Sequence, residues 1–196
     1  MHDFVRTLGI ACALFAVAQT PSLALAQTST ELSTQPSSQA SGEAPSPPPS
    51  PCTTDTGAAR DFDFWIGDWD VYRPGTDQQA GTNRISRREG GCLLLEEWTG
   101  ASGGTGTSMN FHDPHRDAWR QVWQSASALI ELEGGLDAQG RMAMEGTIFY
   151  HARDQRFPFR GRWTPRDDGN VLQEFWQQAP DGEWATWFAG EYRPAD

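Results

Sequence analysis

The sequence predicts an all-β fold, an antiparallel up-and-down β-barrel of about ten strands that follows a disordered N-terminal tether. All nine tryptophans lie C-terminal to Asp61, so the apolar core belongs to the segment 61–196. Within this segment turn signals recur at close spacing, as in Pro74-Gly75 and Asp168-Gly169. The stretches between the turns are rich in aromatic and β-branched residues that alternate with polar ones, and this period of two is typical of strands.

The chain begins with the features of a secretory signal peptide over residues 1–26. Arg6 precedes an apolar run from Leu8 to Ala18, and Ala24-Leu25-Ala26 has the small residues of a cleavage site. The apolar run is shorter than the ~20 residues that span a bilayer. We therefore expect a periplasmic or secreted protein with no membrane insertion after cleavage.

Residues 27–60 are predicted to be a disordered linker. Serine, threonine, glutamine, alanine and proline dominate this stretch, which cannot bury enough apolar surface to offset the entropy cost of ordering. Cys52 near its end and Cys92 in the folded domain are the two cysteines that remain after cleavage. An oxidising compartment favours a disulfide between them over two free thiols.

The domain 61–196 accommodates ten short strands joined by hairpin turns. We predict them at 68–74, 79–89, 92–99, 106–112, 118–125, 128–134, 141–150, 157–164, 170–178 and 183–193. Short turns favour an up-and-down barrel over a sandwich with Greek-key crossings. Closure removes the exposed sheet edges, and the interior of so many strands is too wide for side chains to fill. An internal hollow is therefore expected.

Composition and charge exclude several functions. The basic residues are all arginine, so there is no lysine for a Schiff base, a pyridoxal-phosphate anchor or a phosphate-binding P-loop. The net charge of -11 opposes binding to nucleic-acid phosphates and to anionic lipid. We expect no nucleic-acid partner and no cofactor.

The opening of the domain carries a resemblance to a known group. Residues 62–69 read F-D-F-W-I-G-D-W, and Gly91-Cys92, Glu97-Trp98 and Gly190-x-Tyr192 follow. This set resembles an uncharacterised family of secreted bacterial domains, a domain of unknown function, that opens with F-D-F-W-x-G-x-W. Where that family usually carries tyrosine, position 112 is histidine here.

A more distant resemblance concerns how the barrel closes. Gly67-x-Trp69 near the start and Arg193 near the end are similar to the signature of lipocalin and calycin barrels. That resemblance implies that Trp69 closes one end and that the Arg193 guanidinium packs over its indole, which ties the first strand to the last. Phe62, Phe64 and Trp65 are expected to cover the same end.

Three predicted strands mix polar with aromatic residues, and in the strand 118–125 a period of two leaves neither face purely apolar. Apolar walls with a few polar groups are typical of a small-molecule site, and an inward arginine would favour an anionic ligand. The candidate ligand-binding residues are Trp119, Arg120, Gln121, Trp123, Arg162, Trp163 and Trp176. The alternative is that the arginines pair with Glu97, Glu145 or Glu174 on the outer surface.

No motif in the chain indicates catalysis or a metal with any specificity. The two histidines and two aspartates at 112–117 could hold a divalent ion, but Asp113-Pro114 is also ordinary turn chemistry, and we predict no metal site. His151 is expected in an exposed loop rather than as a haem ligand. No Gly-x-Ser-x-Gly elbow occurs, and no catalytic residue is predicted.

The function predicted from these observations is binding of a small, partly apolar ligand, in one version an anionic one, inside an exported barrel without enzymatic activity. The first alternative is an isomerase or hydrolase on the same barrel that uses His112, His151 or a buried carboxylate. The second alternative is a structural or interaction module of the cell envelope, for which an exposed apolar patch would be the sign.

Overall fold

A computed structural model describes Cys52 and residues 57–196 of the chain. The predicted signal peptide 1–26 and most of the predicted linker lie outside the described residues. At the end of that linker, Ala58–Arg60 form a 3₁₀ turn, and a second 3₁₀ turn follows at Asp63–Trp65. Within the part that is described, no helix has the length and apolar character that a membrane span requires.

Ten antiparallel strands follow the two turns. They are β1 (Gly67–Tyr72), β2 (Gln79–Arg88), β3 (Leu93–Gly100), β4 (Thr105–Asp113), β5 (Ala118–Ser125), β6 (Ala128–Leu136), β7 (Met142–Tyr150), β8 (Gln155–Pro165), β9 (Val171–Gln178) and β10 (Trp184–Pro194). A third 3₁₀ turn, Glu89–Gly91, joins β2 to β3. The strand count and the up-and-down order agree with the prediction.

The sheet closes because the first strand pairs with the last. Each strand pairs with its neighbours in sequence, and β1 pairs with β10 in a register that sets Val71 opposite Tyr192 and Asp70 opposite Arg193. Side chains of a strand alternate between the two faces, so Val71 and Tyr192 point inward and the other pair points outward. The barrel predicted from the sequence is confirmed.

Four aromatic residues plug the end of the barrel at which β1 begins, here called the capped end. The Phe62 ring stacks on Trp65 with centroids 4.8 Å apart and 17° between the planes. The Phe62 ring also meets Trp119 and Trp163 in edge-to-face contacts, at 5.5 and 5.2 Å. All four side chains are buried, so their rings fill the interior at this end of the barrel.

Two indole hydrogen bonds hold this plug in place. Trp119 Nε1 donates to the Ala58 carbonyl oxygen at 2.8 Å, and Trp69 Nε1 donates to the Trp65 carbonyl oxygen at 3.0 Å. Gly67, with φ of 154°, lies close against the Trp69 indole, and an added Cβ atom would approach Cε2 to 3.3 Å. The glycine of the Gly-x-Trp signature thus leaves room for the indole that anchors the cap.

The prediction that the Arg193 guanidinium packs over the Trp69 indole is wrong. Its guanidinium carbon lies 4.3 Å from the centroid of the Tyr72 ring, and no such contact to Trp69 occurs among the described residues. The cause is the alternation of side chains, because Trp69 faces the interior while Arg193 faces outward in a strand whose Tyr192 faces inward. The arginine still joins the first strand to the last, but it does so on the outer surface.

The predicted disulfide is present. Cys52 and Cys92 are bonded, with their Cα atoms 5.0 Å apart and a separation of 40 positions in sequence. Cys92 directly follows the 3₁₀ turn between β2 and β3, at the capped end. The bond therefore fastens the chain that precedes the plug to the same end of the barrel that the plug covers.

Candidate functional site

The half of the barrel away from the plug, here called the open end, is built from aromatic residues that lean on inward-facing glycines. A Cβ atom added to Gly81 would collide with Trp98, one on Gly106 with Trp123, one on Gly161 with Phe175, and one on Gly190 with Phe188. These rings therefore occupy wall space that other residues would fill with side chains. The consequence is an aromatic wall whose middle is left open.

A hollow of about 110 Å³ lies inside this wall. It is lined by Glu96, Trp98, Trp123, Ile130, Gln173, Phe175, Trp187, Phe188 and Tyr192. Five of these nine residues are tryptophan or phenylalanine, and Glu96 is the one residue of the lining with a carboxyl group. Its walls are apolar and its few polar groups are concentrated, which is the usual character of small-molecule sites.

A β-bulge gives β10 two consecutive residues in this lining. Thr186 pairs with Trp176 and Phe188 pairs with Phe175, so Trp187 is the extra residue between them. A bulge re-aims the side chains around it, and here both Trp187 and Phe188 border the hollow. Trp187 is 44% exposed, and its Nε1 donates to the Tyr150 hydroxyl at 2.9 Å, which places it at the mouth.

Glu96 on β3 is the centre of a buried polar network. Only 2% of the residue is exposed. Its Oε1 accepts a hydrogen bond from Asn83 Nδ2 at 2.7 Å, and its Oε2 accepts one from Ser108 Oγ at 2.6 Å. Both donors are neutral, and no ion pair found within residues 57–196 includes Glu96.

Burial governs the protonation of this carboxyl group. Loss of solvent raises the pKa of Glu96 to about 7, against the smaller opposing effect of the hydrogen bonds from Ser108 and Asn83. The same burial raises the pKa of Tyr192 well above its ordinary value, and the nearby Glu96 charge acts in the same direction. Near neutral pH the interior thus holds a carboxyl group that exchanges readily between its acid and carboxylate forms.

The network continues from Glu96 in two directions. On one side Asn110 Nδ2 donates to Ser108 Oγ at 2.7 Å, and Gln121 Nε2 donates to Asn110 Oδ1 at 2.9 Å. On the other side Asn83 Nδ2 also donates to the Tyr192 hydroxyl at 3.1 Å, and that hydroxyl donates to Gln173. The chain of bonds spans strands from β2 to β5 and crosses the barrel to β9 and β10.

Four of the seven candidate ligand-binding residues face the interior of the barrel. Trp123 lines the hollow. Gln121 belongs to the polar network, while Trp119 and Trp163 belong to the plug at the capped end. The structure therefore brings one of the seven candidates to the hollow and a second to its supporting network.

The other three candidates lie on the outer face, away from the hollow. Arg162 Nη2 is 2.7 Å from Glu174 Oε2, and its guanidinium carbon is 5.0 Å from the Trp176 ring centroid. Arg120 lies within 4.0 Å of Asp113 and Glu133 carboxylates and 5.8 Å from the Phe111 ring. The expected inward arginine is absent from the lining because inward residues precede and follow each arginine on its strand.

The histidines of the domain are not part of this site. His112 Nε2 is 3.4 Å from Asp117 Oδ1, while His115 and His151 are exposed. Gln124 Nε2 lies 2.8 Å from His151 Nε2 in the turn region at the open end. Within Cys52 and 57–196, no three of the histidine, cysteine and carboxylate side chains are grouped as metal ligands would be.

The sequence reasoning missed Glu96, although a signal was present. Leu94, Glu96 and Trp98 alternate along β3, so the period of two that places Leu94 and Trp98 inside places the carboxylate inside with them. The neighbouring Glu97, assigned to the surface, is exposed. A carboxylate on the apolar face of a strand was the mark of the site.

Comparison with known proteins adds no identity to this geometry. No family model matches the chain, and no curated protein matches it. The functional argument therefore rests on the hollow and the residues around it.

Proposed function

We propose that this protein binds a small, mostly apolar molecule in the hollow at the open end of the barrel, with a polar group of the ligand directed at Glu96. The observation that carries the proposal is the aromatic wall around one buried carboxyl group. A wall built on four glycines is specific construction, because any larger residue at those positions would fill the space that the rings occupy.

The size of the hollow limits the ligand. Sites for drug-sized molecules measure about 300–1,000 Å³, whereas a dry cavity of about 150 Å³ suffices for benzene. The hollow of about 110 Å³ therefore suits a ligand of a few carbon atoms or one small ring, with more of it extending past Trp187 into solvent. Export of the protein, as the signal sequence predicts, would expose the site to molecules outside the cytoplasm.

The anionic version of the ligand has little support at this site. The lining has no arginine or histidine, and its one carboxyl group, that of Glu96, would repel an anion whenever it is charged. Arg120 and Arg162 are engaged with carboxylates on the outer face. The proposal therefore keeps the partly apolar ligand and replaces the anionic group with one that Glu96 can accept.

Titration calorimetry with benzyl alcohol, cyclohexanol and indole tests the proposal, with tryptophan fluorescence as a second readout. We expect saturable binding that Ile130→Phe abolishes, since the added ring atoms would fill the hollow that Ile130 borders. Leu129→Phe is the matched control, because Leu129 precedes Ile130 on β6 and points to the other face. Absence of binding to all probes, or equal binding by both variants, would count against the proposal.

A second candidate function is acid–base catalysis in the same hollow. The observation that favours it is the pKa of Glu96, raised by burial to about 7, where a carboxyl group can both take up and release a proton at working pH. Glu96 would then be the catalytic group of the isomerase or hydrolase alternative. The interaction-module alternative gains less, because the exposed large apolar residues Met109, Leu136 and Trp187 lie on three different strands.

A screen with activated esters and with deuterium exchange of weak carbon acids tests the catalytic candidate. The expected result is a rate that rises with pH through about 7 and falls at least tenfold in Glu96→Gln. Glu97→Gln serves as the control, since Glu97 is the exposed neighbour on the same strand. Rates that are equal in the wild type and Glu96→Gln would remove this candidate.

A further inference from the structure

We propose that the ligand of this hollow is a small organic cation, whose ammonium group pairs with the Glu96 carboxylate while its carbon atoms contact the surrounding aromatic rings. The inference rests on the proposed binding function and names the chemical class that the site accepts. Three features of the site support it: the carboxyl group of Glu96, the aromatic rings of the wall and the opening beside Trp187.

Glu96 has no cationic partner among the described residues. Glu96 is buried and receives its two hydrogen bonds from Asn83 and Ser108, which are both neutral. A carboxylate removed from water is normally paired with a cation or else takes up a proton. Burial raises the pKa of Glu96 to about 7, which favours the second course in the absence of a bound cation. A cation bound in the hollow would supply the absent pair.

The hydrogen bonds to Glu96 stabilise the carboxylate form over the acid form. Asn83 Nδ2 and Ser108 Oγ each donate to a different oxygen of Glu96, and donated bonds to both oxygens favour the ionised form. An ionised carboxylate has about four acceptor sites, so the two bonds leave both oxygens able to interact with a further group. A cationic group gains the most from this arrangement, because it is attracted to the carboxylate by charge.

The aromatic wall around the hollow also favours a cation. Trp98, Trp123, Phe175, Trp187 and Phe188 border the hollow, and aromatic rings attract a desolvated cation, tryptophan most strongly. A neutral ligand would gain the apolar contact but leave the Glu96 carboxylate uncompensated. An anionic ligand would gain the same contact and face repulsion. Of the three charge types, the cation alone uses both features of the lining.

The route by which a ligand enters the hollow favours a cation as well. The hollow opens beside Trp187, which is 44% exposed, at the end of the barrel that the plug does not cover. The net charge of -11 attracts small cations toward the protein at moderate ionic strength. Long-range and local electrostatics therefore act in the same direction.

The test compares choline with 3,3-dimethylbutan-1-ol, which has the same shape with carbon in place of the charged nitrogen. Titration calorimetry on the folded protein at pH 8 and constant ionic strength measures both affinities. We expect choline to bind at least tenfold more tightly than the alcohol. Equal affinities, or tighter binding of the alcohol, would overturn the cation assignment while leaving the binding function in place. Absence of binding by these two and by the neutral probes above would remove both.

Charge variants assign the preference to one carboxylate. Glu96→Gln should reduce the preference for choline to less than threefold, and Glu97→Gln, which removes an exposed charge from the adjacent position, should retain it. A preference that survives in Glu96→Gln would contradict the proposal. Wild-type protein at pH 5 provides the same comparison without a mutation, because protonation of Glu96 should weaken choline binding at least tenfold and leave the alcohol unaffected.

Discussion

The capped end and the open end of the barrel are both aromatic, yet one is solid and the other hollow. At the capped end Phe62 and Trp65, which precede the first strand, enter the barrel and stack against Trp119 and Trp163. At the open end Trp98 and Trp123 lean against the wall over Gly81 and Gly106, and none of the described residues that precede β1 lines the hollow. The difference between the two ends comes from what fills the centre, since aromatic rings are present at both.

This contrast separates stability from function along the barrel axis. A densely packed aromatic cluster contributes apolar burial and fixes the β1–β10 closure next to it. A hollow lacks the stabilisation that this apolar burial provides, and burial of a carboxyl group such as Glu96 costs further free energy. A fold that retains both must stabilise the second region with the first, so mutations at the two ends should differ in kind.

The largest expected effect is at the capped end. Trp65 is fully buried, and Trp65→Ala removes the ring on which Phe62 stacks, so we expect a loss of about 3–5 kcal/mol in the free energy of unfolding. Trp187→Ala, at the mouth of the open end, should cost less than about 1.5 kcal/mol because its side chain is already 44% exposed. Urea unfolding followed by circular dichroism measures both. Similar losses at the two positions would contradict the division proposed here.

The next largest effect is a pH dependence that belongs to the open end. The pKa of Glu96 is raised in the folded protein from 4.5 to about 7, so the folded state binds the proton more tightly than the unfolded state. Its contribution to stability is therefore complete below about pH 4.5 and declines as the pH rises to about 7, by on the order of 3 kcal/mol. Glu96→Gln should abolish this decline.

Measurement of the difference between the two proteins isolates Glu96 from the other carboxyl groups. Burial also raises the pKa of Asp61, and the hydrogen bond from Arg141 lowers the pKa of Asp137, but both effects occur in wild type and variant alike. Unfolding free energies at intervals from pH 4 to pH 9 give the curve. If the difference in unfolding free energy between wild type and Glu96→Gln were the same at pH 8 as at pH 5, the carboxyl group would not be buried as described.

A smaller effect is expected from the donor that supports this carboxylate. Ser108→Ala removes the hydrogen bond to Glu96 Oε2 and the shorter of the two bonds that Asn110 Nδ2 donates, the other going to the Leu94 carbonyl oxygen, which should cost about 1–3 kcal/mol near pH 7. The same change should move the pKa of Glu96 further upward, because the Ser108 bond lowers it. The inflection in the stability curve would then shift above pH 7. Thr107→Ala, on the outer face of β4, is the control.

Much of the fold could be predicted from the sequence, because local pattern decides it. Turn residues and a period of two give strands such as 118–125, which the structure reproduces as Ala118–Ser125. Sequential hairpins then leave little choice but closure, and β1 does pair with β10. The direction of side chains was harder to predict in β5, because polar residues lie on both of its faces, with Gln121 between Trp119 and Trp123 on one face and Arg120 on the other.

The site depends on features that a local pattern does not contain. Trp187 borders the hollow because of a bulge against β9, and a bulge breaks the period on which the prediction relies. The partners of Glu96 are 12 and 13 residues away on neighbouring strands, and Tyr192 reaches Asn83 across 109 residues. Such contacts follow from register and closure, which are known only once the barrel is built.

The smallest expected effect concerns the seam between β1 and β10. Arg193 packs over Tyr72 at 4.3 Å and lies 3.1 Å from Glu191, at a site that is partly exposed to solvent. Arg193→Ala should therefore cost only about 0.5–1 kcal/mol, since cation–π contacts and ion pairs at exposed positions are weak. Trp69→Phe, inside the same seam, should cost more because it also removes the bond to the Trp65 carbonyl. If Arg193→Ala were the more damaging change, closure would depend on the outer surface rather than on the plug within.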